Sequence, residues 1–394
     1  MTLPMVLSER FFVLNAKNQV LPVDVLSDYP TMNADLYMDA SYLQHYTQLR
    51  SFAILKVSGS GSGSEVEYPS LFIPYTFQLK KVFQLTPTAT ILFYVHNISS
   101  VCHETPYMNL VRTILSSGES REDRTGTGTL SVFAHQLRFD ISETVPLLTT
   151  KFVPWKSCIQ ELLWFLKGRT DSRELESAGV NIWKGNTRRE FLDQRGLTHL
   201  PEGDIGAGYG FQWRHFGGAY ETCESDYAGI GYDQIAEVIR QLKEEPTSRR
   251  ILFSAWNPAA LDSMALPPCH VLCQFYVSTK AIGKPRLSCH LYQRSQDVFL
   301  GAPFNIFSYT VLTYLLAKMC GMVPHELIIS TGDTHIYKDH LEQMKEQMRR
   351  MPLVSPILRV ADRVAESSID DITLDDFNVE GYFYHPRIYG KMSV

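Results

Sequence analysis

Apolar residues recur at helical spacing after Tyr107, and Gly118 is placed to end that helix. Residues 157–166 form a strongly apolar stretch that Gly168 ends. The sequence predicts further helices at 232–242, which stops before Pro246, and at 309–319. Helical segments therefore begin only beyond the first hundred residues.

Short apolar runs of strand length occur in both parts of the chain. In the C-terminal part they predict buried strands at 250–256, 271–277 and 286–292. In the N-terminal part they predict strands at 11–14, 52–55, 71–73 and 89–95. Helices and strands do not alternate strictly, so we predict an α+β fold, a mixed sheet packed with helices, after a small strand-rich N-terminal appendage.

A Ser-Gly alternation at 58–64 cannot pack into a core and is typical of a flexible linker. It lies inside the N-terminal region, which we delimit as an appendage of residues 1–103 with no assigned role. The larger domain spans 104–394, where the helical patterns begin. The sequence therefore predicts two domains.

The composition is that of a globular protein, with 44% hydrophobic residues, 20% charged residues and a net charge of -5. No apolar stretch approaches the ~20 residues that cross a bilayer, and the charge does not favour DNA. The seven cysteines are scattered and no secretory leader precedes them. We therefore expect a cytoplasmic protein with free thiols that binds neither DNA nor membrane.

One cysteine, Cys269, follows two prolines and precedes a predicted strand. A lone loop cysteine is more often inert than reactive, because a thiolate needs nearby positive charge. Arg250 and Arg294 each adjoin a strand expected beside the Cys269 strand. Isolated arginines of this kind usually lie in solvated turns, but this placement also fits a phosphate clamp.

Residues 104–394 resemble the thymidylate synthase family along their whole length. The motifs occur in family order: 123–129 (DRTGTGT), 146–151 (PLLTTK), 161–165 (ELLWF), 209–216 (YGFQWRHF), 248–250 (SRR), 267–270 (PPCH), 292–295 (YQRS) with Asp297, 301 and 303–306 (PFNI), and 332–337 (GDTHIY). The set is specific because so many motifs share one order.

The resemblance implies a dUMP phosphate site built from two subunits of a homodimer. Arg124, Arg294 and Ser295 would come from one subunit, and Arg249 and Arg250 from the other. The arginine field would also lower the pKa of the Cys269 thiol, which adds to C6 of the pyrimidine in this family.

Further dUMP contacts follow from the same resemblance. Asn305 matches the residue that reads the amide edge of uracil, and His270 and Gln293 belong to the same substrate-binding set. His335 and Tyr337 match the residues that bind the ribose 3'-hydroxyl.

The remaining implied roles concern proton transfer and the folate. Glu161, Asn186 and Tyr209 match the proton-transfer network, with Cys269, Arg294 and Asp297 completing the catalytic set. As a buried carboxylate, Glu161 should have a raised pKa. The co-substrate 5,10-methylenetetrahydrofolate would be held by Lys151, Ile182, Trp183, Asp297, Leu300, Gly301 and Phe304. No metal is expected, since His335, His340 and Asp333 lack a further ligand at suitable spacing.

The implied reaction is reductive methylation of dUMP to dTMP, with a dUMP hydroxymethylase as the alternative and a catalytically silent nucleotide-binding protein as a different class. Trp183 favours methylation, and no nucleophile or clamp residue is missing. Three departures from the family pattern occur: Gly206-Ala207-Gly208, which should loosen its loop; Phe152 in place of an arginine; and the tail 387–394.

Overall fold

The structure, a computed structural model, describes residues 103–280 and 283–392 together with five strands of the N-terminal region. The chain divides into two units. The first contains Met1–Val101, Thr149–Phe152 and Phe383–Arg387, and the second contains Cys102–Leu148, Val153–Tyr382 and Ile388–Val394. No helix in the described part of the chain is long and apolar enough to cross a membrane.

The first unit contains an antiparallel sheet in the strand order β2-β1-β5-β4-β3. The strands are β1 (Arg10–Leu14), β2 (Val20–Leu21), β3 (Leu36–Tyr37), β4 (Phe52–Val57) and β5 (Thr90–Tyr94). The predicted strands at 11–14, 52–55 and 89–95 are confirmed. The predicted strand at 71–73 and the linker at 58–64 lie outside the described residues.

The second unit is built on a six-stranded mixed sheet in the order β6-β7-β11-β10-β9-β8, in which only β10 and β11 run parallel. Its strands are β6 (Glu119–Arg121), β7 (Thr129–Asp140), β8 (Leu252–Ser254), β9 (His270–Ser278), β10 (Arg286–Asp297) and β11 (Val323–Tyr337). A separate pair joins β12 (Ile357–Val360) to β13 (Phe377–Glu380). The predicted α+β class with a mixed sheet is confirmed.

The helices pack against this sheet. Those among the described residues are α1 (Thr105–Ser117), α2 (Trp155–Leu166), α3 (Ser172–Ser177), α4 (Arg189–Gln194), α5 (Tyr209–His215), α6 (Gln234–Glu244), α7 (Gly301–Met319) and α8 (Leu341–Arg349). Short 3-10 helices occur at Lys184–Asn186, Pro258–Ser263, Lys338–His340, Asp362–Glu366, Ile369–Asp371 and Leu374–Asp376. The predicted helices at 157–166 and 232–242 are confirmed within two residues.

Helix α7 is apolar around most of its circumference because it packs against β10, β11 and α2 at once. It begins at Gly301, whereas the sequence predicted a start at 309. The first turns of the helix contain Pro303. A proline is tolerated in the first turn of a helix, where its missing N–H would have had no intrahelical partner.

One side of the sheet, which we call the outer face, carries exposed aromatic side chains. Tyr276 on β9 is 67% exposed, Tyr292 on β10 is 41% exposed, and Leu252 on β8 is 37% exposed. Tyr292 pairs with Leu272 and Leu252 pairs with Gln274, so all of them lie on the same side as Tyr276. The opposite side faces the core.

Candidate active site

Cys269 lies at the residue directly before β9, as the two prolines predicted. Its backbone N–H donates to the hydroxyl of Tyr209 at 2.8 Å. Its carbonyl accepts from the backbone N–H of Arg294 at 3.0 Å. The nucleophile loop is therefore tied on one side to helix α5 and on the other to strand β10.

The Arg294 guanidinium reaches the thiol while it is anchored to the same loop. Its Nε donates to the carbonyl of Pro268 and its Nη2 to that of Pro267, each at 2.9 Å, and Nη2 lies 3.9 Å from Cys269 Sγ. Burial raises the pKa of the Cys269 thiol, and the charge of Arg294 opposes that rise. Arg294 therefore acts on the thiol pKa in the predicted direction, but in this single chain desolvation outweighs the guanidinium.

Glu161 extends from the apolar helix α2 toward Trp183. Its Oε1 accepts a hydrogen bond from the indole Nε1 at 2.8 Å. Burial raises the pKa of the Glu161 carboxyl to about 7, and this hydrogen bond limits the rise. The Trp183 ring lies 5.9 Å from the ring of Tyr209, whose pKa burial also raises. The predicted raised pKa of Glu161 is confirmed.

A small cavity with room for about one water molecule lies beside Glu161. Two buried nitrogens in its wall, Trp213 Nε1 and His270 Nδ1, have no hydrogen-bond partner among the described residues. Burial lowers the pKa of His270 to about 4, so this imidazole is neutral at pH 7. The cavity is lined by Glu161, Leu162, Phe165, Trp213, His270, Ser308 and Tyr309.

A chain of side-chain amides links β10 to α7. Gln296 Nε2 donates to Gln293 Oε1, and Gln293 Nε2 donates to Asn305 Oδ1, both at 2.8 Å. This order fixes the orientation of the Asn305 amide. Its oxygen keeps a second lone pair, and its NH₂ group takes no part in that bond.

His335, Tyr337 and Asp297 lie together where β10 and β11 end. Asp297 pairs with His335 in the parallel ladder, and the His335 and Tyr337 rings are 5.2 Å apart. His335 Nδ1 lies 2.9 Å from Asp333 Oδ1. Burial raises the pKa of Tyr337 to about 12, Asp297 adds to the rise and Arg124 opposes it. The Arg124 charge therefore acts at this end of the site.

Asp297 ends β10, and its side chain holds the turn that leads to helix α7. Its Oδ1 accepts from the backbone N–H groups of Phe299 and Leu300 at 2.9 and 3.1 Å, and Oδ2 takes no part in these bonds. Phe304 and Gly301 follow on the first turns of the helix.

Other predicted site residues are not joined to Cys269 by direct contacts. Arg249 and Arg250 are exposed on a turn before β8, and Asn186 is buried in a 3-10 helix near Ile182. Lys151 belongs to the first unit, whereas Cys269 belongs to the second.

The comparisons with known proteins agree with this geometry. A family model described as "Thymidylate synthase" matches residues 105–394. The chain is 54% identical over 294 residues to the thymidylate synthase of Agaricus bisporus, an alignment that covers 74% of this chain and 99% of that protein. The chain belongs to the thymidylate synthase family. Thymidylate synthases are methyltransferases, and this chain is one.

Further thymidylate synthases show the same relation over the same part of the chain. That of Saccharomyces cerevisiae is 54% identical over 297 residues, covering 74% of this chain and 97% of the relative. That of Homo sapiens is 50% identical over 291 residues, covering 74% of this chain and 91% of the relative.

The loop that departs from the thymidylate synthase pattern is held in place rather than loose. Gly206 has φ +74°, and a Cβ there would lie 2.0 Å from the carbonyl oxygen of Ser263, so only glycine fits. Its N–H donates to Asp204 Oδ1 at 2.7 Å, and Gln212 Nε2 donates to the carbonyl of Ala207 at 2.9 Å. At the second departure, in the first unit, the Arg387 guanidinium carbon lies 5.1 Å from the centre of the Phe152 ring.

Sequence reasoning gave no role to Trp213 and Gln296, described above, or to Trp256, whose ring centre lies 5.4 Å from Arg294 Cζ. Trp213 lies inside a quoted motif, but nothing in the sequence shows that its indole N–H faces a cavity. Gln296 lies between two predicted site residues, at the end of a strand predicted to stop at 292. Trp256 was assigned only to the strand at 250–256, of which Leu252–Ser254 are in β8.

Proposed function

We propose that this chain converts dUMP to dTMP with 5,10-methylenetetrahydrofolate, giving dihydrofolate. The main support is the contact network around Cys269, in which Tyr209 and Arg294 bind the backbone on both sides of the thiol. The Arg294 Nη2 group lies 3.9 Å from Sγ and can stabilise a thiolate. The family membership supports the same reaction.

In the covalent step the Cys269 thiolate forms a bond to C6 of the pyrimidine. The C5=C6 π electrons shift toward O4, so C5 becomes the nucleophile that attacks the one-carbon unit. Arg124, Arg294 and Ser295 hold the phosphate, with Arg249 and Arg250 from a second subunit. The positive charges of these arginines would lower the thiol pKa and so oppose the rise that burial causes.

Glu161 is suited to moving protons in this reaction. With a pKa of about 7, it populates both protonation states at neutral pH, as an acid-base group must. A water in the adjacent cavity would accept from Trp213 Nε1 and bond His270 Nδ1, and could carry a proton to or from Glu161. Asn186 and Tyr209 would complete the network.

The amide chain supports selection of uracil. With Asn305 oriented by Gln293, its NH₂ group can donate to O4 and its oxygen can accept from N3–H. Cytosine presents the opposite pattern and would leave the Asn305 amide unpaired. His335 and Tyr337 would bind the ribose 3'-hydroxyl.

The folate-binding residues fit a pterin with a conjugated ring system. Asp297 keeps Oδ2 for a pterin N–H, while Trp183, Ile182, Leu300, Gly301 and Phe304 offer ring and aliphatic surface. The folate supplies the one-carbon unit and then a hydride. Within the described ranges, no group of three or more His, Cys, Asp or Glu residues is arranged to hold a metal.

Product analysis tests this function. Purified enzyme is incubated with dUMP and methylenetetrahydrofolate, and the nucleotide is identified by mass while dihydrofolate absorbance is followed. We expect dTMP and dihydrofolate in equal amounts. Hydroxymethyl-dUMP with tetrahydrofolate would instead identify a hydroxymethylase, in which water rather than hydride completes the reaction.

The proposed active form is a homodimer joined through the outer face. Exposed Tyr276, Tyr292 and Leu252 give this face an apolar character that a second copy would cover. Arg249 and Arg250 adjoin it through Gln274, which donates to the Arg249 carbonyl at 3.0 Å. Neither guanidinium has an acidic partner among the described residues, so both are available to a phosphate in the second subunit.

Tyr276→Glu should convert the dimer to monomer and lower kcat/KM about 100-fold, because it buries a charge in the interface and removes both arginines from the partner site. Sedimentation and steady-state kinetics measure the two effects together. Tyr232→Glu is the matched control, since Tyr232 is 57% exposed and lies outside the sheet. A monomer that keeps full activity would contradict the shared site.

Mixing Arg250→Ala with Cys269→Ser chains gives a second test of the dimer. Each variant alone should have strongly reduced activity, because each of its sites lacks either the thiol or Arg250, yet a mixed dimer has one site with an intact thiol and an intact arginine. Equal mixing should restore about one quarter of wild-type activity, because about half the dimers are mixed and each has one complete site. No recovery after subunit exchange would contradict the proposal.

We propose a cytoplasmic location because the described cysteines are all free thiols. Cys273 and Cys289 are adjacent in the core with their sulfurs 3.3 Å apart, well beyond a disulfide bond length of about 2.05 Å. A reducing compartment keeps such a pair open.

The altered tail contacts His340 and Phe299. His340 Nε2 donates to the Lys391 carbonyl at 2.8 Å, and a Cβ on Gly390 would lie 2.5 Å from Phe299. The resemblance to the family implies a tail that closes over bound folate, so Gly390→Ala should raise the folate KM about tenfold and leave the dUMP KM unchanged. Steady-state kinetics decide this, with Met392→Ala, at a 39% exposed position, as control. An unchanged folate KM would show that the contacts of Gly390 have no role in folate binding.

A further inference from the structure

We infer that Trp256 is a positioning residue that holds the Arg294 guanidinium against the nucleophile loop. The Arg294 Cζ lies 5.4 Å from the centre of the Trp256 ring, within the range of a cation–π contact. This inference rests on the proposed function, in which Arg294 serves both the thiol and the phosphate.

The hydrogen bonds of Arg294 hold only one edge of its guanidinium group. A guanidinium has five N–H donors, and the Pro268 and Pro267 carbonyls take the one on Nε and one on Nη2. The second Nη2 donor lies on the side of Cys269 Sγ, 3.9 Å away, and both Nη1 donors are outside these bonds. The carbonyls fix one edge of the plane, and the indole face restricts its tilt.

Trp256 is itself held by the end of β8. Its backbone N–H donates to Ser254 Oγ at 3.1 Å, and that hydroxyl donates to the Val271 carbonyl on β9 at 3.1 Å. Gln234 bonds both backbone groups of Ser254, at 3.0 and 2.8 Å. The ring is therefore carried by a strand paired with the nucleophile strand, which gives Trp256 a fixed place relative to Cys269.

Two measurements can detect the contact between Trp256 and Arg294: the pH at which the thiol reacts and the affinity for dUMP. Losing the ring would let the guanidinium tilt away from Sγ, which would raise the pH at which the thiol becomes reactive. The same tilt would misplace the donors left for the phosphate and weaken dUMP binding. Folate binding would not depend on it.

The test compares full-length Trp256→Leu with Trp256→Phe. Both remove the indole and keep an apolar side chain, but only phenylalanine retains a π face. We measure the rate of Cys269 alkylation by iodoacetamide against pH, identified by peptide mass, together with the KM for dUMP. For Trp256→Leu we expect the midpoint to rise by about half a pH unit and the dUMP KM to rise about fivefold. Trp256→Phe should stay within about twofold of wild type.

Controls separate this inference from a purely structural role and from the proposed function. Trp155→Leu removes another half-buried tryptophan, whose ring lies over Lys156, and should change neither readout. If Trp256→Leu and Trp256→Phe lose melting temperature equally with an unshifted alkylation profile, Trp256 is merely structural and the inference fails. If Arg294→Ala leaves alkylation and dUMP KM unchanged, the role of Arg294 in the proposed function fails as well.

Discussion

Cys269→Ser should lower kcat by more than about 1,000-fold, since a serine hydroxyl is a far weaker nucleophile than a thiolate at neutral pH. The dissociation constant of dUMP should change by less than about threefold, because the phosphate and base contacts lie on other residues. Calorimetry with dUMP and the dihydrofolate assay measure the two quantities. The variant is thus expected to bind substrate without converting it.

Cys320→Ser is the matched control for this prediction. Cys320 is a half-buried free cysteine that ends helix α7 and takes no part in the site. It should keep wild-type turnover, so a loss confined to position 269 assigns the chemistry to that thiol. Turnover retained by Cys269→Ser would remove the covalent mechanism.

Glu161→Gln should lower kcat by about 100-fold to 10,000-fold, because glutamine can accept the Trp183 hydrogen bond but cannot exchange a proton. The dUMP KM should stay within about threefold, which separates proton transfer from binding. Steady-state kinetics measure both constants. Glu174→Gln is the control, since burial also raises the pKa of Glu174 and it lies outside the site. A kcat reduced equally by both substitutions would contradict the assignment.

The same carboxyl makes stability depend on pH in a stated direction. The folded-state pKa of Glu161, about 7, lies above its ordinary 4.5, so between these values the folded state binds more protons than the unfolded state. Stability from this group therefore falls as pH rises from 4.5 to 7, by at most about 3 kcal/mol, and then levels off. The free energy of unfolding, measured with urea, should depend differently on pH in wild type and Glu161→Gln between pH 4.5 and 7. Parallel curves would show that Glu161 titrates normally.

The arrangement of the nucleophile could be anticipated in part. Arg250 and Arg294 were predicted beside strands next to the Cys269 strand, and the pairing of β8 and β10 with β9 confirms this. The hydrogen bond from Cys269 to Tyr209 could not be foreseen, because it joins a strand entrance to a helix 60 residues away in sequence. Local pattern carries no information on such a contact.

Two long strands escaped prediction for physical reasons. β11 contains Gly332, Asp333 and other polar residues, which interrupt the apolar run that would predict a strand, and Gly332 allows close approach to the Arg294 carbonyl. β7 loses its alternation at Ala134, where φ is +60°. Gly332 and Ala134 fall at the same point of the β7–β11 ladder, between the pairs Thr331–His135 and Asp333–Phe133.

The predicted pKa shifts show what composition can and cannot give. The raised pKa of Glu161 follows from burial alone, and the apolar helix around it predicts that burial. Cys269 depends on a balance between desolvation and guanidinium distances, and those distances need the folded chain. The sign of such a balance is therefore not readable from sequence.

The covalent role of Cys269 can be tested most directly by trapping. Enzyme is incubated with 5-fluoro-dUMP and methylenetetrahydrofolate, then digested for peptide mass analysis. Fluorine cannot leave C5 as a cation the way hydrogen leaves as a proton, so the adduct should persist after the one-carbon unit is attached. We predict one nucleotide and one folate on the peptide that contains Cys269, and the same peptide unmodified in Cys269→Ser. An adduct on another residue, or no adduct in active enzyme, would contradict the account.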